Sequence, residues 1–234
     1  MADTTPPIET ARTQALIRRL LDEAAPVRRL RPPVARLGLW LIVVAMVGGA
    51  VGLSGVRPDL GARLRDPVYL LEIAALAVAG MLMAVGAFQE AVPGYEARWP
   101  IGRVALAFGL VAALLWFLQP VHGELAVTQF IATGIVCASR TVVLAALPLC
   151  ALLIAIRRGA PLAPARAGAL AGGAAFLIAA LLMRVDCPLD ERLHLLVWHA
   201  LPVAGGTVVS ALIGLAWLRR WRARRRPAAR RRSL

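Results

Sequence analysis

The sequence predicts an all-α protein that crosses a membrane several times, and three observations carry that expectation. Hydrophobic residues fill 59% of the 234 positions and the mean hydropathy is +0.71, whereas apolar residues fill only about half of an ordinary soluble domain. They gather into runs of about 20 residues, enough at about 1.5 Å per residue to cross about 30 Å of hydrocarbon. Finally, all 27 basic residues are arginines, with seven in the first 36 positions and nine from Arg219 onward. Loops rich in arginine stay in the cytoplasm, so both termini are expected inside and the number of spans is expected to be even.

The net charge of +14 would suit nucleic acid if it were spread over a folded surface. Here it collects in the tail "WLRRWRARRRPAARRRSL", where anchoring against anionic lipid is the simpler account. The bilayer is therefore an expected partner, and direct nucleic-acid contact is not expected. No small-residue cleavage site follows the first apolar run, so that run is expected to stay as an anchor.

Residues 1–36 form a cytoplasmic segment, 37–218 a transmembrane domain and 219–234 a basic cytoplasmic tail. Within the first, "IETARTQALIRRLLDEAAPVRRLRPP" predicts one short helix, capped by Thr10 or Thr13 and bounded by Pro26. Leu16, Ile17, Leu20 and Leu21 share one face, ringed by Arg18, Arg19, Asp22 and Glu23. Such a helix needs a surface. Its pattern leaves open whether that surface is lipid or a cytoplasmic partner.

Six spans follow, at 37–56, 68–92, 101–118, 137–156, 167–184 and 198–218. "GVRPDLGARLRD", "QPVHGELAVTQF" and "DCPLDERLHLLVWHA" fall outside, and "PGYEARWP", with Trp99 at the interface, and "RRGAPLAPARA" fall inside. This assignment leaves 21 arginines inside and six outside, the bias the rule requires. Gly48 and Gly52, Gly168 and Gly172, and Gly206, Ser210 and Gly214 recur at four-residue spacing, which lets helices approach closely inside lipid. Glu72, Glu90, Arg103, Arg140 and Arg184 lie near span ends and are expected to reach water. A proton-coupled pump or ion channel would need deeper charge.

Chemistry-bearing residues concentrate on the outer side. Cys137 and Cys187 face an oxidising compartment there and can meet, while Cys150 is expected to be a small buried hydrophobe in the fourth span. None belongs to a CxxC, against a disulfide oxidase or a reductase of the vitamin K type. His122, His194 and His199 share the outer side with Glu124, Asp186, Asp190 and Glu191. Thiolates and imidazoles suit soft or borderline divalent ions, and an acidic neighbourhood attracts cations. However, His194 and His199 are five apart and match no ligand-pair signature such as HExxH. The plainer reading places them at a headgroup interface beside Trp198. No phosphate loop, nucleophile elbow or buried carboxylate pair occurs, so neither enzymatic activity nor a cofactor is expected.

The short N-terminal helix with "PVRRLRPP", the six spans, "CASRTVVLAALPLCALLIAIRRGAPLAPARAGALAGG" and "CPLDERLHLLVWH" together resemble the NrsF-type membrane anti-sigma factors of proteobacteria, over nearly the whole chain. The resemblance implies sequestration of an extracytoplasmic-function sigma factor at the inner membrane and its release on a periplasmic stress signal, metal or oxidant. It implies that Leu16, Ile17, Leu20 and Leu21, with Arg28 and Arg29, bind the sigma factor. It also matches Cys137 and Cys187 to the family's outward-facing cysteine pair as the sensing residues; a thiophilic metal is a candidate signal, and the residue types alone, not the resemblance, add His194 and His199 as candidate further ligands. Cys150 has no counterpart, and Trp198-His199 stands where many members carry Trp-Tyr. The rival reading is a small inner-membrane metal transporter or exporter with the same residues at its entrance.

Overall fold

The computed structural model describes residues 7–22, 30–92, 101–121, 127–159 and 161–218. The chain divides into two units, 1–30 and 31–234, and every regular element among the described residues is helical.

The first unit contains α1, Pro7–Asp22. It begins at Pro7, ahead of the expected caps Thr10 and Thr13, because proline at the first helical position has its φ already set and gives up only an N–H that would find no partner there. Leu16, Ile17, Leu20 and Leu21 are all exposed. Glu23, Pro26, Arg28 and Arg29 lie outside the described residues.

In the second unit the helices are α2 (Pro33–Ser54), the single turn α3 (Leu60–Arg63), α4 (Pro67–Glu90), α5 (Ile101–Phe117), α6 (Val127–Arg157), α7 (Pro164–Asp186) and a last continuous helix, α8, over Arg192–Leu218. Proline opens α2, α4 and α7; at α4 the Asp66 side chain also accepts from the Val68 N–H at 2.9 Å, which satisfies one of the free donors of the first turn. Five helices are long and apolar enough to cross a membrane: α2 from Val34, α4, α6, α7 and α8. Against the six expected spans, α5 is a shorter apolar helix of 17 residues. "PGYEARWP" and the tail from Arg219 lie outside the described residues.

Helix α7 is the most enclosed of these and packs against α4, α6 and α8. Its sequence explains the position: Ala and Gly fill most of "AGALAGGAAFLIAA", so neighbours approach its backbone on several sides. A Cβ on Gly168 would lie 2.3 Å from the Ser210 carbonyl oxygen and 3.0 Å from Gly214 Cα. The small residues of the fifth and sixth predicted spans thus face each other. Gly52, by contrast, has nothing within 4 Å of the place a Cβ would take, and Gly48 only the end of Leu182 at 3.4 Å, so that pair forms no close crossing. At the end of the bundle opposite Cys137 and Cys187, Arg166 pairs with buried Glu90 at 2.6 Å. Trp40 Nε1 donates to the Pro148 carbonyl at 3.1 Å and ties α2 to α6.

Several expectations are corrected. Helix α6 starts at Val127, ten residues before the predicted span, and its 31 residues make about 46 Å, more than a bilayer needs. Thr128 and Gln129 give the extension the polarity of a loop. The segment read as the last outer loop is mostly helix, because α8 begins at Arg192. Cys150 is exposed on α6 rather than buried. Glu72, Glu90 and Arg184 do not reach water; all three are buried.

Backbone atoms cannot swing aside from a new side chain, so Gly168→Ala should force α7 and α8 apart and lower the thermal midpoint in detergent, at about 1–3 kcal/mol for overpacking. Gly52→Ala, facing open space, should leave circular-dichroism melting unchanged.

Candidate functional site

At one end of the bundle, α6, α7 and α8 converge on four side chains: Cys137, Cys187, His194 and His199. One ligand atom from each lies within 4.8 Å of the others, and all four residues are buried. The two sulfurs are 3.6 Å apart, and Cys187 Sγ lies 3.6 Å from His194 Nε2.

Each position has a local cause. Cys137 sits ten residues into α6, at the first position of the predicted span and just past the extension that precedes it. Gly134 leaves α6 bare one turn earlier, and the Trp198 indole fills the space, since a Cβ there would come within 2.0 Å of Trp198 Cε2. Phe130 supports the same indole, with ring centroids 5.6 Å apart. Cys187 caps α7 in an extended conformation, φ −83° and ψ 123°, as expected of a residue preceding proline; Pro188 therefore turns the chain out of the helix here.

The five-residue spacing of the histidines is resolved by the shape of α8. In a regular α-helix, residues five apart point about 140° away from each other. Leu196–Ala200, however, form a π turn, and the Leu201 N–H bonds the Leu196 carbonyl, five residues back. Pro202 explains it: it has no N–H for the Trp198 carbonyl and its ring crowds that oxygen, so the helix widens by one residue. The wide turn puts residue i+5 where i+4 would be, and the imidazoles of His194 and His199 lie 5.3 Å apart. Both are fully buried, away from the headgroup position considered for them. His194 Nδ1 and both His199 ring nitrogens make no hydrogen bond.

A network of charges braces this end. Asp190 accepts from Arg57 Nη1 at 3.0 Å and Nη2 at 2.6 Å, and pairs with Arg184 at 2.7 Å and with Arg63. Arg57 also donates to the Pro188 carbonyl at 3.3 Å and, from its backbone, to the Val185 carbonyl at 3.1 Å. Arg184 pairs in turn with Glu72, which accepts from Trp116 Nε1 on α5. The Tyr69 hydroxyl donates to the Arg184 carbonyl at 2.8 Å. Asp186 pairs with Arg140 at 2.6 Å. The acidic neighbourhood read from the sequence is thus largely neutralised by arginines.

Burial alone would raise the Asp190 carboxyl, but the hydrogen bonds of Arg57 and the charge of Arg184 outweigh it and hold it below the usual carboxylate range. Of the two thiols, Cys187 is the one whose ionisation is favoured, chiefly by its hydrogen bond with Cys137 and then, against the cost of burial, by His194.

Among the residues singled out in the sequence, the structure brings Cys137, Cys187, His194 and His199 together, leaves Cys150 apart on the outside of α6, and keeps Leu16, Ile17, Leu20 and Leu21 exposed on α1. His122, Glu124, Arg28 and Arg29 lie outside the described residues. Sequence reasoning missed the bracing network and Trp198's seat on Gly134. The available signal was opposite charge, Glu72 and Arg184, set inside apolar runs that end on the same side.

The fold and the cluster define a class: a helical membrane protein with a buried thiol and imidazole set at one end of its bundle. The chain belongs to the NrsF family, negative regulator of sigma F, whose model matches residues 20–221. No curated protein and no solved structure matches it. The family is one of regulators rather than enzymes, and a sigma factor is the partner it implies.

Removing one partner of a buried ion pair costs up to about 3–5 kcal/mol where the other charge is left alone; without Glu72, Arg184 would keep only Asp190, which it shares with Arg57 and Arg63. Glu72→Leu should therefore destabilise the bundle more than the double change Glu72→Leu with Arg184→Leu, because Asp190 keeps Arg57 and Arg63. Thermal melting of the single and double variants in detergent reads the difference; additive losses would contradict the pairing.

Proposed function

We propose that the protein is a membrane anti-sigma factor that holds an extracytoplasmic-function sigma factor at the bacterial inner membrane and releases it on a periplasmic metal or oxidant signal received by Cys137 and Cys187. Family membership across residues 20–221 carries this reading and favours it over a transporter. In this reading residues 37–218 form six spans, with α5 as the shortest. Its 17 residues meet the lower limit of about 17 for a helical span. The arginine bias puts residues 1–36 and the tail 219–234 in the cytoplasm and the cysteine end in the periplasm.

The docking surface is α1. Its exposed Leu16, Ile17, Leu20 and Leu21 have no reason to stay in water, and each, once buried, contributes about 1.5–3 kcal/mol to association before ordering costs. Arg28 and Arg29 supply charge for carboxylates of the sigma factor. Pro32, at φ −51° and ψ 148°, and Pro33 make a short, stiff exit to α2.

The sensing step uses the sulfur pair. Oxidation joins the thiols, releasing two protons and passing two electrons to the oxidant, and shortens the sulfur separation from 3.6 Å to about 2.05 Å. Binding of a thiophilic cation instead displaces the thiol protons. The disulfide draws the ends of α6 and α7 together, whereas a bound cation fixes them against each other near their present separation; α7 runs on through the core to the opposite end. The signal releases the sigma factor only as far as it favours the sigma-free packing.

Leu16→Asp with Leu20→Asp should abolish co-purification with the sigma factor while membrane insertion persists; retained binding would remove α1 as the docking surface. In a sigma-dependent reporter strain, Cys137→Ser and Cys187→Ser should each lose induction by metal or oxidant and keep basal repression, and Cys150→Ser should do neither. Normal induction in the Cys137→Ser, Cys187→Ser double variant would refute cysteine sensing.

A further inference from the structure

The cysteine pair accounts for only half of the buried cluster. A disulfide would occupy both sulfurs and leave His194 and His199 as they are, fully buried with three ring nitrogens making no hydrogen bond. Burying such a group without a partner costs about 1–3 kcal/mol, so imidazoles in an apolar wall beside two thiols call for an account of their own.

Coordination chemistry supplies one. Ligands at about 2.3 Å for sulfur and about 2.0–2.1 Å for nitrogen, arranged tetrahedrally, stand about 3.8 Å apart sulfur to sulfur and about 3.6 Å apart sulfur to nitrogen. The observed separations are 3.6 Å between Cys137 and Cys187 Sγ and 3.6 Å between Cys187 Sγ and His194 Nε2. His199 completes a set whose ligand atoms all lie within 4.8 Å of one another, and it does so because the π turn at Leu196–Ala200 carries it round to the face of His194. We infer that Cys137, Cys187, His194 and His199 form a four-coordinate site for a single divalent cation of the zinc and cadmium type.

Charge selects the divalent ion. Two thiols lose their protons on binding, so a dication with two thiolates and two neutral imidazoles makes a complex of zero net charge, which a buried site tolerates. A monovalent ion would leave one negative charge stranded. The surrounding carboxylates do not compete as ligands, since Asp190 is held by Arg57, Arg63 and Arg184 and Asp186 by Arg140. Soft thiolates and borderline imidazoles select against calcium and magnesium. The inference deepens the sensor reading and rests on it for its consequence: the cation is the signal, and it clamps α8 as well as α6 and α7.

The test is titration of the full-length protein in detergent with Co²⁺, whose visible bands report tetrahedral geometry and whose near-ultraviolet band reports thiolate bonding. One Co²⁺ per chain with both sets of bands, displaced by Zn²⁺, is expected. His194→Gln and His199→Gln should each weaken affinity at least tenfold and shift the visible bands, while Cys187→Ser, which leaves one of the two thiolates, should lower the thiolate band to about half per bound Co²⁺. Cys150→Ser should match the parent, and melting without metal checks that each variant is folded. Unchanged affinity and spectrum in either folded histidine variant would overturn the four-ligand site, as would absence of stoichiometric binding to the parent protein. No sigma factor is present, so failure here leaves the anti-sigma reading intact, and failure of sigma-factor co-purification would leave the metal site intact.

Discussion

Asp190 is the residue on which the geometry of the cysteine end depends. Its carboxylate engages Arg57, Arg63 and Arg184, which come from the segment after α2, from α3 and from α7, while its own backbone belongs to the five-residue link that also carries Cys187. That link has no regular hydrogen-bonding pattern of its own. Left to itself, a loop of this kind would place Cys187 Sγ anywhere within several ångströms, and a pair of sulfurs at 3.6 Å would be an accident. With Arg57 bonding the side chain of Asp190 and the carbonyls of Pro188 and Val185, the link is fixed at two points and tied to the last turn of α7. Cys187 is then held between a helix end and a clamp.

The clamp also explains why charge is tolerated at this depth. Glu72 and Arg184 are buried, where an isolated charge is prohibitively costly, but together with Asp190, Arg57, Arg63 and Asp59 they form three acids and three bases in contact. Their neutrality as a group, and the donors of Trp116 and Tyr69 on top of it, leave few unmet electrostatic demands. Such networks add little net stability over a well-packed apolar core. What this one adds is position: α4, α5 and α7 meet it in a single arrangement, and the sulfur pair inherits that arrangement.

Much of this was legible in the sequence. The apolar runs gave the helices within a few residues for α4, α5 and α7, because those runs are bounded by Pro67, Phe117 and Pro164, residues with clear local meaning. Gly168 and Gly172 meet Gly206, Ser210 and Gly214 as their four-residue spacing allows, whereas the same spacing at Gly48 and Gly52 brings no close crossing. Two kinds of information were hidden. Hydropathy does not see helix that projects beyond the bilayer, so the polar start of α6 and the start of α8 at Arg192 read as loops, and with them went the helical setting of His194. Pairing between distant charges is also invisible to composition, so Glu72 and Arg184 looked like span-end residues able to reach water when they in fact satisfy each other.

The histidine spacing shows how a single irregularity can invert a sequence argument. Five residues in a regular helix would separate His194 from His199 and send one of them towards lipid or water, and no ligand-pair signature uses that spacing. The irregularity has a local cause in Pro202, which cannot donate to the Trp198 carbonyl, and the same turn seats Trp198 against the bare backbone of Gly134. Proline, tryptophan and glycine therefore act together: one widens the helix, one fills the space that results, and one gives up a side chain to make room. The outcome is that both imidazoles and both thiols share one buried volume, although the four residues come from three helices and no two of them stand at a spacing that sequence motifs would recognise.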